Sequence, residues 1–215
     1  MSGYSIVPYT IAFANEIVTD PIGFVPYAGR MRLSYVPSRP GDWVDPYGAR
    51  LGSVGGILRA RVRDLRDRLD QRGPERMRKL NTRRQWRSMG KLLCQVCGGP
   101  AADPRNGLIP WTVTKTVFER TGLDSGRTNA PPTCWSCIPK ALEECPMLRE
   151  DFAVYTVAEV RSVGVLADLY RPGVLRALEF MGRNVFVGWN DFQRHPYALA
   201  VAQVVELHGM KLLSP

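Results

Sequence analysis

Five cysteines stand at Cys94, Cys97, Cys134, Cys137 and Cys145, and four of them form two Cys-x-x-Cys pairs. A thiolate is a soft ligand, and zinc in structural sites takes four tetrahedral N or S donors, so two such pairs from separate chain segments match its demand. In a reducing compartment this spacing reads as metal ligation and not as disulfides. With Cys94, Cys97, Cys134 and Cys137 filling every position, no coordination site is left for water. The expected cofactor is therefore structural zinc, not catalytic zinc. The alternatives are a redox-active pair, or thiols packed as small hydrophobes. Gly98-Gly99 behind the first pair lets the backbone curl into a knuckle, and Pro139 opens a short helix behind the second that reaches Cys145 and stops at Pro146.

The remaining candidates for chemistry are few. Cys145 reads as a buried small hydrophobe, with alternate ligation or a reactive thiolate as the other readings. His208 fits a satisfied residue on an apolar face, and His195, ahead of Pro196, an N-terminal turn residue. Asp168, Asp191 and Glu206 could join a histidine in acid–base work, but their spacing does not require it. No catalytic residue is assigned.

Charge is concentrated. Residues 59–91 hold 13 Arg and Lys against 4 Asp and Glu, which accounts for the whole net charge of +9. A block of this kind points to an anionic partner, because guanidinium forks suit phosphate. The candidate nucleic-acid contacts are Arg76, Arg78, Lys79, Arg83, Arg84, Arg87 and Lys91. A solvated face, a phosphorylated small ligand or an acidic protein partner are the competing readings.

These groups must be positioned by a chain of 215 residues, 45% apolar, which is enough for one hydrophobic core. No apolar run approaches the roughly 20 residues that span a bilayer. No basic-then-apolar leader is visible, so a cytoplasmic protein without membrane contact is expected. Residues 1–50 are rich in Pro and Tyr (Pro8-Tyr9, Pro26-Tyr27, Pro46-Tyr47), which favours short strands such as 31–36, with Trp43 and the tyrosines as anchors. An Arg-rich helical segment covers 51–93. Val54, Leu58, Val62, Leu65 and Leu69 recur at helical spacing, predicting a helix over 54–71, and a second helix is expected over 75–92. In the cysteine module, 94–146, Leu108–Phe118 reads as strand or hairpin and Asp124-Ser125-Gly126 as a turn. The C-terminal portion, 147–215, should hold strands at 152–157, 163–170 and 184–189, an element of either type at 174–180, and a helix from His195 to about His208. One compact unit of these four segments is expected.

Knuckle, hairpin, then knuckle at a helix start is the order of a treble-clef or zinc-ribbon unit. With Arg83-Arg84-Gln85-Trp86-Arg87 ahead of Cys94-Gln-Val-Cys97-Gly98, residues 80–145 resemble the metal half of HNH-type nucleases. That activity needs a hairpin histidine, and none lies between Cys97 and Cys134. The resemblance therefore implies the scaffold without nuclease chemistry. Cys94-Gln-Val-Cys97-Gly98-Gly99-Pro100-Ala101, Ala130-Pro-Pro-Thr-Cys134, Cys145-Pro146 and Val204-Val-Glu-Leu-His208 resemble an uncharacterised family of actinomycete zinc-binding proteins. That likeness implies a soluble intracellular protein and no particular activity. The expectation is an α+β fold around a four-cysteine zinc unit, serving a non-catalytic nucleic-acid-binding protein. The alternatives are an enzyme or accessory subunit of a specialised pathway with structural zinc, and an adaptor for an acidic protein partner.

Overall fold

Half-buried strands need alternating or β-branched sequence, and this chain supplies it along most of its length. The computed structural model describes residues 6–45, 56–122 and 126–214. In chain order the elements are β1 (Ile11–Phe13), β2 (Ile22–Tyr27), β3 (Arg30–Tyr35), β4 (Trp43–Val44), β5 (Ile57–Arg59), β6 (Glu75–Leu80), α1 (Thr82–Lys91), β7 (Ile109–Val113), α2 (Lys115–Gly122) and β8 (Arg127–Thr128). They continue with α3 (Ile138–Glu144), α4 (Pro146–Arg149), β9 (Ala153–Val157), β10 (Glu159–Pro172), β11 (Leu178–Gly188), β12 (Ala198–His208) and β13 (Lys211–Ser214). The mixture of helix and strand is α+β, as expected from the order of elements along the sequence.

The largest sheet has the order β11-β10-β12-β5-β4, with β8 also pairing β12. A second sheet has the order β13-β9-β7, and β1-β6 and β2-β3 make two small antiparallel pairs. The two larger sheets are joined through their strands. β9 runs into β10 across Ala158, whose N–H donates to the His208 carbonyl, while Gly209 (φ +63°) breaks β12 from β13 opposite it. A Cβ on Gly209 would stand 2.8 Å from that of Ala158, so the crossing point requires glycine.

One apolar cluster gathers Trp111, Val157, Phe118, Val205 and Leu207 around the buried Cys94 and Cys137. Another lies between Ile57, Val165, Val187, Trp189, Ala198 and Ala200, with Trp86 of α1 packed against it. β12 serves both, its first half facing one cluster and its second half the other, and the register shift between Ser162 and Gly164 on β10 accommodates the change.

Two sequence expectations are corrected. Residues 56–71 are not helical. Ile57 and Leu58 are buried in β5, which pairs β4 on one side and β12 on the other. Beyond them the Arg63 and Leu65 N–H groups bond to Glu16 rather than up a helix, and Leu69 is 72% exposed. Sheet pairing and a buried carboxylate override the periodicity; Val54 and Gly55 of the expected helix lie outside the described residues. Residues 198–208 form β12, preceded by a single helical turn at His195–Tyr197. Ala198, Ala200, Ala202 and Val204 are buried at period two, a pattern that the helical spacing of Leu199, Ala202 and Val205 obscured. The expected helix over 75–92 is split into β6 and α1, and the expected strand at 108–118 turns into α2 after Val113. β3 and β9 match the expected strands at 31–36 and 152–157, and the helix expected over 139–145 is α3. The Pro46-Tyr47 pair and most of the turn at 124–126 lie outside the described residues.

α1 is placed by buried polar groups. Asn81 caps it, accepting from the Arg84 N–H at 3.2 Å, and its amide donates to Glu16 Oε2 and the Arg63 carbonyl. The Arg84 and Glu16 side chains are both 0% exposed. All five guanidinium donors of Arg84 are satisfied. Nε bonds the Tyr9 carbonyl, one terminal nitrogen bonds Glu16 and Asp64 at 2.6 Å each, and the other bonds Glu16 and the Ile11 carbonyl at 2.7 Å. Gln85, also buried, exchanges two bonds with the Gln203 backbone and donates a third to Asn129, filling the edge of β12 between its pairings with β5 and β8.

Burial alone would raise the Glu16 pKa. The bonds from Arg84, the Phe13 and Leu65 N–H groups and Asn81 outweigh it and hold the carboxyl below its ordinary value. Its stabilising contribution is thus complete above the unfolded value of about 4.3 and is lost as pH falls through the lower folded one. Arg84→Met, which strands the buried carboxylate, should cost about 3–5 kcal/mol in urea unfolding at neutral pH. Stability of the wild type should fall on acidification below about pH 4.3, and Glu16→Gln should remove that part of the acid dependence.

Candidate metal centre

The first knuckle is built by backbone geometry. Cys94 N–H donates to the Gly99 carbonyl and Gly98 N–H to the Cys94 carbonyl, closing a turn in which Val96 N–H points at Cys94 Sγ and Gly99 N–H at Cys97 Sγ, both at 3.4 Å. N–H donors aimed at sulfur favour thiolate over thiol. Gly98 adopts φ +78°, and a Cβ there would meet the Tyr9 ring at 2.7 Å, so both conformation and space demand glycine. The second knuckle is a helical turn, Trp135–Cys137, and Cys137 leads directly into α3. The two are tied together by Gln95, whose N–H bonds the Pro132 carbonyl and whose amide bonds Thr133 Oγ1.

These turns bring the sulfurs of Cys94, Cys97, Cys134 and Cys137 within 4.8 Å of one another. Cys97 and Cys134 are 3.9 Å apart. A zinc ion with Zn–S bonds of about 2.3 Å would hold its four sulfurs about 3.8 Å apart, so the cluster needs only slight contraction to accept one. Cys94 and Cys137 are buried and Cys97 is exposed, which gives the site a route for entry and a closed rear wall.

Protonation also favours a cation. Burial pushes the Cys94 thiol up, and burial together with the bond to Cys134 pushes Cys137 up as well. At Cys134 burial is outweighed by bonds from Ser136 Oγ, Cys137 and Cys94, bringing that thiol down to about 7. One thiolate thus forms at its neighbours' expense. A divalent ion removes that competition by neutralising several at once.

The other sequence candidates fall elsewhere. Cys145 lies outside the four-sulfur cluster, between α3 and α4, and lines an apolar groove with Glu144, Met77 and Val96. His195 is buried, its Nε2 3.0 Å from the Gly188 carbonyl and its ring edge-on to Phe192. His208 Nε2 lies 3.2 Å from Glu206 Oε1 on the same strand. Asp168 accepts from the Asn184 N–H, and Asp191 pairs with Arg194. Arg84 is a correction: it turns inward to Glu16 and Asp64 and has no donor left for a phosphate. Arg83, Arg87 and Lys91 are exposed on α1, and Arg76, Arg78 and Lys79 are exposed on β6. The buried Glu16 carboxylate, which decides the fate of Arg84, carries no local signal in the sequence.

No family model matches the chain, and no curated protein or solved structure is significantly similar to it. Among the described residues, no helix is long and apolar enough to cross a membrane.

Metal analysis of protein purified without chelator should find about one ion per chain, and Cys97→Ser should lose it. Since structural zinc contributes folding free energy directly, that variant should unfold with a stability lower by several kcal/mol in thermal or denaturant melts.

Proposed function

We propose that this is a non-catalytic, zinc-stabilised protein that contacts nucleic acid through the exposed face of α1. Zinc is favoured as the metal because four thiolates in a closed set suit it and leave no site for a reacting water. The second knuckle leading into α3 supports a treble-clef-like reading of the unit, although the chain between the knuckles forms β7, α2 and β8, and β7 pairs β9 and β8 pairs β12 rather than closing a hairpin.

The observation that carries the nucleic-acid reading is a row of cations. Arg83, Arg87 and Lys91 recur every fourth residue and are exposed, so they line one side of α1 at intervals of about 6 Å. Arg87 shares part of its charge with Asp64 at 3.7 Å and donates to the Tyr9 hydroxyl, which holds it in position. α1 is itself fixed at one end by the Arg84–Glu16 pair and at the other by the first knuckle, to which Leu92 connects it through a left-handed cap. Phosphate recognition benefits from such a rigid mount, since less side-chain and backbone order is lost on binding.

Affinity for a short duplex should fall with salt at roughly −0.9 in log K per log [salt] for each phosphate contact, and for a single strand at roughly −0.7. Reversing Arg83, Arg87 and Lys91 together to Glu should flatten that slope by about 3, with metal content and melting unchanged. Anisotropy titrations at several salt concentrations measure it. Absence of binding to duplex DNA, single-stranded DNA and structured RNA at about 50 mM salt would refute the reading.

A further inference from the structure

A cleft of about 230 Å³ opens where the turn at 39–42, the stretch 59–63 and Arg83 of α1 meet. Its lining is dominated by arginine. Its two carboxylates, Asp20 and Asp42, are already committed. Asp42 grips Arg61 through both oxygens, at 2.9 and 2.7 Å, and Asp20 takes the other side of the same guanidinium at 2.6 Å. The Pro37 carbonyl accepts a further bond, and the guanidinium stacks 4.1 Å from the Tyr35 ring centroid. Arg61 with its two carboxylates is therefore a rigid wall carrying one surplus negative charge, which Arg39 balances. Arg39 stands at the rim, 3.7 Å from Asp20.

Arg59, Arg63 and Arg83 remain. None of them has a carboxylate partner among the described residues. Arg59 is fixed at its backbone, donating to the Asp42 carbonyl at 2.7 Å, and its guanidinium lies half-buried, 5.9 Å from the Trp86 ring centroid. Burial and the neighbouring Arg83 charge disfavour its protonated form and together outweigh the Asp42 carboxylate, which favours it. Like charges concentrated in a concavity destabilise the empty protein and are relieved by an anion.

We propose that this cleft binds the dianionic phosphate group of a phosphate monoester, with Arg59, Arg63 and Arg83 as its guanidinium donors. Three cations without a carboxylate in salt-bridge contact match a terminal phosphate, which carries about −1.5 to −2 at neutral pH, better than a singly charged carboxylate or phosphodiester. The volume equals roughly eight waters at about 30 Å³ each, room for a phosphate and the start of its ester group but not for a base pair. The cleft shares only Arg83 with the α1 surface and does not require that surface to bind nucleic acid.

Calorimetry of the full-length, metal-loaded protein with inorganic phosphate tests it in the absence of any nucleic acid. Saturable binding is expected. Arg63→Met and Arg59→Met should each weaken it by about tenfold or more, and Lys211→Met, an exposed lysine on β13 outside both the cleft and the α1 surface, should leave it unchanged. Arg63 is exposed, so its variant separates loss of binding from loss of folding. A second arm compares one short oligonucleotide with and without a 5′-phosphate: a preference for the phosphorylated strand that Arg63→Met abolishes identifies a nucleic-acid end as the source of the group. Equal affinity for both strands beside saturable phosphate binding identifies a small phosphate compound instead. No heat with phosphate up to about 10 mM, or binding that Arg63→Met leaves intact, would overturn the proposal.

Discussion

Four thiol sulfurs held within 4.8 Å of one another, two of them buried, are the constraint from which the rest of this structure follows. Thiolates at that separation repel, and buried thiols make poor hydrogen bonds, so the arrangement is favourable mainly around a cation. The sequence must bring two knuckles together across the intervening β7, α2 and β8. It does so with Gln95, which bonds the segment before the second knuckle, and with Trp111, whose indole N–H donates to the Ala130 carbonyl. Both knuckles are then covered by the apolar cluster of β7, β9 and β12.

The metal centre and the basic helix are mechanically linked through Tyr9. Its N–H bonds the Val96 carbonyl inside the first knuckle, its ring lies against Gly98, its carbonyl accepts from Arg84, and its hydroxyl accepts from Arg87. One residue thus touches the curl that aims Cys94 and Cys97, the buried ion pair and the exposed cation row. Loss of metal should be felt along α1 for this reason, through a chain of named contacts. The Arg84–Glu16 pair completes the link from the other side, joining the N-terminal segment and residues 63–65 to the cap of the same helix. A buried pair of this kind contributes little net stability against a well-packed apolar substitute, but it is costly to break singly and it fixes one register.

The four-cysteine cluster was legible because the spacing that metal ligation requires is local and survives in any fold. The short strands of the Pro- and Tyr-rich segment, β9 and α3 were legible for a similar reason: Pro positions and β-branched runs act over a few residues. The helix expected from His195 to about His208 was mistaken because alanine fits either element, and 198–208 is held as a strand by pairing with β10 and packing against Ile57. The apolar spacing of 54–69 was misleading because Ile57 and Leu58 answer to partners more than 100 residues away in β12 and to β4, not to their own neighbours. Charge was legible as a sum but not as a surface. Of seven cations expected to face a partner, Arg84 turned inward because Glu16 and Asp64 meet it there, and the Arg59–Arg83 juxtaposition arises only when β5 and α1 come together.

Zinc-edge X-ray absorption on the purified full-length protein is the measurement that bears most directly on this account. It predicts a first shell of four sulfur scatterers at about 2.3 Å and no lighter ligand, since all four positions belong to cysteine. A shell containing nitrogen or oxygen at about 2.0–2.1 Å, or protein that binds no metal while fully folded, would contradict it.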